Sequence, residues 1–114
     1  MPSTHELGAA AEARARRHYR VRGYRILAAN VRSGGVEIDI VCRRGRQLVL
    51  CEVKDKRDGR YGDPLEMVDE RKQERLRRGA EAWLADHPED RELSLRFDVV
   101  AVRGTALERI EHAF

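Results

Sequence analysis

Apolar positions along the chain recur first at steps of four. Leu7, Ala11, Ala15 and Tyr19, with Arg22 three residues further on, predict one face of an opening helix. Gly8 and His18 flank that stripe, and Glu12 falls at its edge rather than on the opposite face. Ala9, Ala10, Ala13 and the neighbouring arginines favour helix by propensity. Gly23 is the residue expected where this helix stops, because it tolerates left-handed backbone. Residues 24–28 then read as a strand and Ser33-Gly34-Gly35 as a turn.

Two further strands follow, at about 36–43 and 47–54, around Gly45-Arg46. The stretch DKRDGRYGDP has the composition of a loop. It ends in a helix-start signal: Asp63 as cap, Pro64 at the first position, and Glu66 in reach for a capping box. A second helix is predicted over 64–86, with Leu65, Val68, Leu76, Ala80 and Trp83 on its buried stripe and Lys72 interrupting it. A break at 87–90 precedes a strand over 93–102, where Leu93, Leu95, Phe97, Val99 and Ala101 alternate. Gly104 turns the chain into a short strand at about 107–112.

The predicted order is therefore α-β-β-β-α-β-β: an α/β fold with a mixed central sheet flanked by helices. The strands before and after the second helix are expected to pair in parallel through a crossover. The 114 residues suit a single domain, 1–114.

The central hairpin fixes where its charges go. With Gly45 at the first central position of a type II′ turn, Arg44 pairs with Gln47, Asp39 falls opposite Glu52, and Glu37 opposite Lys54. Side chains alternate across a strand, so Glu37, Asp39, Glu52 and Lys54 share one face. Val36, Ile38, Ile40, Cys42, Val49, Cys51 and Val53 fall on the other, which is wholly apolar. A one-residue slip would split the charged set and push a lone carboxylate into the core, which is costly. The charged face also carries Val41, Leu48 and Leu50 and so needs a cover; the first helix, with Glu12 at its stripe edge, is the expected one.

Composition narrows the classes of function. The net charge of +3 is compatible with a polyanion partner but does not identify one. The N-terminal stretch lacks a basic region followed by an apolar core, and no apolar run reaches the roughly 18 residues of a membrane span. A cytoplasmic protein without a membrane segment is expected. Cys42 and Cys51 lie within apolar strands, with no Cys/His cluster at zinc spacing, and read as reduced core thiols. The four histidines are scattered.

Two or three carboxylates with a lysine at the rim of an apolar wall suit a hard divalent cation such as Mg²⁺. Such an ion polarises a phosphate and helps generate hydroxide, while a lysine beside it orients water or stabilises developing charge. Metal-assisted phosphodiester hydrolysis is the chemistry these residue types fit. Glu52 and Lys54 at i, i+2 also fit an ordinary salt-bridged surface pair, which contributes little. Both readings stay open on the residues alone.

At these positions the chain resembles the PD-(D/E)xK nucleases, with Asp39 as the first acid and Glu52-Val53-Lys54 as the E-x-K. More specifically it resembles the YraN family of uncharacterised bacterial proteins, through LGAAAEARA, RGYRILAANVR, EIDIV, CEVK, YGDPLEMVDERKQERL, RFDVVAV and HAF. That resemblance implies a restriction-endonuclease-like fold similar to Holliday junction resolvases, with Mg²⁺ or Mn²⁺ as cofactor. It implies that Glu12, Asp39 and Glu52 bind metal, that Asp39, Glu52 and Lys54 are catalytic, and that Glu37 is an additional acid. Ala11 and Val36 stand where the family has glycine, and Lys56 where it often has arginine.

Lys56, Arg57 and Arg60 cluster on the loop leaving the site, and Lys72 and Gln73 open KQERLRR on the second helix. These five are the expected nucleic-acid contacts, with backbone rather than base recognition. For Lys72, a snorkelling side chain on the buried stripe and a side chain aimed at the scissile phosphate are both open. Arg75, Arg77 and Arg78 are expected in solvent and Trp83 in the core. Three functions are carried forward: a metal-dependent DNA endonuclease acting on branched or repair intermediates, a nucleic-acid-binding module of the same fold without efficient catalysis, and a protein-interaction adaptor. By analogy with resolvases a homodimer is expected.

Overall fold

The computed structural model describes residues 4–55 and 68–114, with side chains from residue 8 onward. Helix α1 (Thr4–Arg20) leads into strands β1 (Arg25–Ser33), β2 (Val36–Arg44) and β3 (Gln47–Asp55). Helix α2 (Glu70–Asp86), a 3-10 turn at Pro88–Asp90, and strands β4 (Ser94–Arg103) and β5 (Ala106–Ile110) complete the α-β-β-β-α-β-β order. The five strands form one mixed sheet in sequence order; all neighbours are antiparallel except β3 and β4, which run parallel. This is the expected α/β architecture. No helix among the described residues is long and apolar enough to cross a membrane.

The hairpin register is the predicted one. Arg44 faces Gln47, and the ladder continues through Val41–Leu50 to Ile40–Cys51. Gly45 holds φ +60° while Arg46 keeps a negative φ, as a type II′ turn requires. Beyond Ile40–Cys51 no further pairs form, so the predicted Asp39–Glu52 and Glu37–Lys54 oppositions are not ladder pairs. On its other side β2 pairs Ile38 with Val31 and Ile40 with Ala29, skipping Asn30 and Asp39. Asn30 has a left-handed φ of 50° there.

This irregularity redistributes the faces of β2. Ile40, Cys42, Val49 and Cys51 pack with Ala11, Ala15 and Tyr19 of α1, and Val53 joins that cluster. Ile38 instead packs with Val41, Leu48, Leu50 and the α2 residues Leu76, Ala80 and Trp83. Val36 follows Ile38, its Cβ lying 3.5 Å from where a side chain on Gly79 would begin. The expected uniform apolar face from Val36 to Cys42 therefore does not hold, because the alternation breaks at Asp39. Nor does α1 cover the Val41, Leu48 and Leu50 face; α2 does. Gly79 makes that cover close: a Cβ on it would stand 3.1 Å from Ile38 Cδ1.

One boundary also moves. Asp69, not Asp63, caps α2, its carboxylate accepting from Lys72 N at 2.9 Å. Val68 and Asp69 are not helical, so the helix does not run unbroken from 64; Asp63, Pro64, Leu65 and Glu66 lie outside the described residues. Strand β4 is buried on both faces, with Phe97 and Val99 toward α2 and Val100 and Val102 toward α1. That is the burial expected of an interior strand with a parallel neighbour. Trp83 is core, and Cys42 and Cys51 are free, buried thiols.

A polar cluster pins α1 to the sheet. Asp98, 1% exposed, accepts from Tyr19 Oη at 2.7 Å and from Arg96 Nε at 2.8 Å. Arg96 Nη2 (2.9 Å) and His112 N (3.2 Å) donate to it as well. Arg96 Nη2 also donates to Tyr24 Oη, and the Arg109 guanidinium lies 5.4 Å over the Tyr19 ring. These contacts were not anticipated from the sequence.

Candidate active site

Where β2 and β3 part, a side chain takes over from the ladder. Val53 N, which regular pairing would satisfy from β2 backbone, donates to Asp39 Oδ2 at 2.8 Å. An open backbone donor at the end of a ladder needs such an acceptor. The same bond fixes Asp39 beside the C-terminal half of β3. There Glu52 and Lys54 project on the α2 side of the sheet, in parity with Leu48 and Leu50. Lys54 Nζ sits 3.0 Å from Glu52 Oε1, with both side chains largely buried at 17% and 19% exposure.

Electrostatics mark Asp39 as the stressed group. Burial pushes its carboxyl up to about 7, and the Glu52 carboxylate adds to this. The Val53 hydrogen bond opposes the rise, while Glu12 from α1 and Glu37 from β2 reinforce it. Lys54 is held above its ordinary range: burial works against its charge, but Glu52 and Asp39 outweigh that. Lys72 is lowered, first by its side-chain hydrogen bond with Lys54, then by burial and by the Lys54 charge. The site thus joins acids from three elements to two lysines, one on β3 and one on α2.

A cleft opens at this cluster, lined by Val36, Glu37, Glu52, Lys72, Arg75 and Leu76. Lys72 is exposed at the cleft, not on the buried stripe of α2. Gln73 is half-buried, and its amide donates to Val68 O at 3.1 Å, bracing the turn before α2. Arg75 was expected simply in solvent; it is exposed, and it also lines the cleft one helical turn from Lys72. That i, i+3 spacing was the available signal. Lys56, Arg57 and Arg60 lie outside the described residues.

The fit to a divalent cation rests on the donors. Asp39 and Glu52 offer hard carboxylate oxygens, with no thiolate or imidazole among them, which suits Mg²⁺ or Mn²⁺. Repulsion among Asp39, Glu52, Glu12 and Glu37 is what a cation would relieve. Among the described residues, no three His, Cys, Asp or Glu side chains stand close enough to enclose an ion as they are. Asp39 and Glu52 therefore form the nucleus of the site, and Glu12 and Glu37 act on it as neighbouring charges.

The model of the uncharacterised protein family UPF0102 matches residues 11–102, a span that includes Glu12, Glu37, Asp39, Glu52, Lys54, Lys72 and Arg75. The UPF0102 protein YraN of Escherichia coli O1:K1 / APEC is 42% identical over 113 residues, covering 98% of this chain and 86% of the relative. The UPF0102 proteins YraN of Shigella sonnei and of Escherichia coli K12 / DH10B match over the same span at 42% and 41% identity.

Proposed function

The chain belongs to the UPF0102 family, and on that premise we propose that it is a metal-dependent endonuclease hydrolysing DNA phosphodiesters, with branched or repair intermediates as substrates. The observation that carries this reading is the meeting of Asp39, Glu52 and Lys54 at the one point where the central hairpin opens. A half-buried carboxylate crowded by other carboxylates, one of which holds a lysine at 3.0 Å, fits a functional site better than a structural ion pair.

In this reading Asp39 and Glu52 hold Mg²⁺ or Mn²⁺, with Glu12 and Glu37 adding negative charge around them. The bound ion supplies Lewis-acid activation of the phosphate and of a water. Val53 N fixes the orientation of the Asp39 carboxylate through its hydrogen bond. Lys54, tethered to Glu52, presents an ammonium that orients the attacking water and stabilises charge on the phosphate oxygens. Lys72 and Arg75 at the cleft are suited to neighbouring backbone phosphates, and the basic loop with Lys56, Arg57 and Arg60 extends that surface. The reading carries with it a cytoplasmic location and, since a junction presents two symmetric strands, a homodimer.

A nucleic-acid-binding module without efficient catalysis is the second reading. Lys72 and Arg75 at the cleft, which can meet phosphates without a metal, favour it. Cleavage of junction, flap and single-stranded DNA with Mn²⁺ separates the two. Wild type is expected to cut, with Asp39→Ala and Lys54→Ala slower by about 10²–10³-fold, the scale of losing one charge-stabilising group. Equal cutting by all three proteins would point to a contaminant and end the enzyme reading. DNA binding without cutting would leave the second.

A further inference from the structure

Charge is segregated along this chain. Between Glu12 and Glu37 there are seven arginines and no acid, and between Asp39 and Glu52 three more arginines and no acid. The fold gathers part of this charge at the end of the hairpin opposite the cleft. There Arg25, Arg43 and Arg44 line a recess together with Gly23 and Gly45. Among the described residues, no acidic and no large apolar side chain takes part in that lining.

Two of these guanidinium groups are held in place. Arg43 Nε donates to Gly45 O at 2.8 Å, and one of its terminal nitrogens stands 3.9 Å from Asp90. Arg44 donates to Arg22 O at 3.0 Å and lies 4.5 Å over the Tyr24 ring. Each keeps further N–H donors beyond these bonds. Arg25 is exposed. A Cβ on Gly45 would meet nothing within 4 Å, so backbone there is open to approach. Pre-oriented arginines around bare backbone are suited to phosphate oxygens, because little side-chain freedom remains to be lost on binding. An acidic protein partner would be expected to find apolar or aromatic anchors here, and a membrane surface an apolar face; the recess has neither.

We propose that this recess is a second nucleic-acid contact, taking backbone phosphates of a duplex that extends away from the cleft. The proposal rests on the nucleic-acid reading above and adds a substrate requirement to it. Gly45 and Glu52 are seven residues apart along the hairpin, about 23 Å of extended chain. That distance corresponds to about seven base pairs of duplex. The substrate class is therefore DNA with a duplex arm longer than the cleft alone could engage.

The test is fluorescence anisotropy in EDTA with DNA hairpins carrying a 6-base-pair or a 20-base-pair stem. Wild type is expected to bind the long stem at least fivefold more tightly. Arg25→Gln/Arg44→Gln should erase that preference and reduce the slope of log K against log salt by about two, one unit per lost phosphate contact. Arg25→Gln alone removes no internal bond and should give part of the loss, so a folding defect at Arg44 cannot imitate the result. If wild type prefers the long stem and both variants match it, the inference is overturned while the nuclease reading stands. Failure of wild type to bind either hairpin would overturn both. Loss of binding to vesicles rich in phosphatidylglycerol, with DNA binding unchanged, would assign the recess to a membrane surface and also overturn it.

Discussion

Asp39 and Asp98 are both strand carboxylates withdrawn from water, and their surroundings could hardly differ more. Asp98 collects Tyr19, the Arg96 guanidinium and His112 N around its two oxygens. Asp39 has one backbone N–H and, beyond it, the charges of Glu52, Glu12 and Glu37. The first group is satisfied and ties α1 to β4. The second carries a repulsion that, among the described residues, Val53 N and Lys54 only partly offset. Burial alone therefore says little about a carboxylate; what decides between structure and site is the sign of its neighbours.

Substitution at the two positions should have opposite signs. Asp98→Ala strips the acceptor from Arg96 and Tyr19 and is expected to cost about 3–5 kcal/mol, the usual consequence of breaking a buried pair. Urea unfolding followed by circular dichroism measures it; a loss under about 1 kcal/mol would mean the cluster is no anchor. Asp39→Asn keeps an oxygen for Val53 N and removes the crowded charge. It should gain about 1 kcal/mol at neutral pH while slowing any cleavage by up to about 10²–10³-fold, as expected where a site trades stability for function. A destabilised Asp39→Asn would contradict the contrast.

The smallest effect belongs to His18, beside the Asp98 cluster. Burial first, then Arg22 and Arg109, holds its imidazole below the ordinary value of 6.5. The unfolded chain therefore takes up this proton before the folded one does. As pH falls below 6.5, stability is lost until the folded group also titrates; above 6.5 His18 contributes no slope. His18→Gln should flatten that part of the stability profile relative to wild type. Unchanged curvature would remove His18 from the account.

The element order, the turn at Gly45 and the shared face of Glu52 and Lys54 were legible because each rests on local rules: turn chemistry, a period of two, and apolar runs. What failed was non-local. The break in alternation at Asp39 accompanies the left-handed Asn30 on the neighbouring strand and the end of the β3 ladder, neither of which periodicity reports. Both faces of the hairpin carry apolar residues, so the pattern could not say which helix covers which face. Asp63 and Asp69 are both plausible caps by residue type, and the signal of Pro64 outweighed the correct one. Arg96 and Asp98 stood in plain view as charges in an apolar run, but only the fold brings Tyr19 to them.

The paired thiols beneath α1 supply an internal clock. Burial pushes Cys42 up to about 12 and raises Cys51 well above its ordinary value, so neither presents a thiolate while α1 covers them. Alkylation of either sulfur must wait for α1 to lift from the sheet. Its rate in the native protein therefore counts openings of the α1 cover over the hairpin whose far end forms the site.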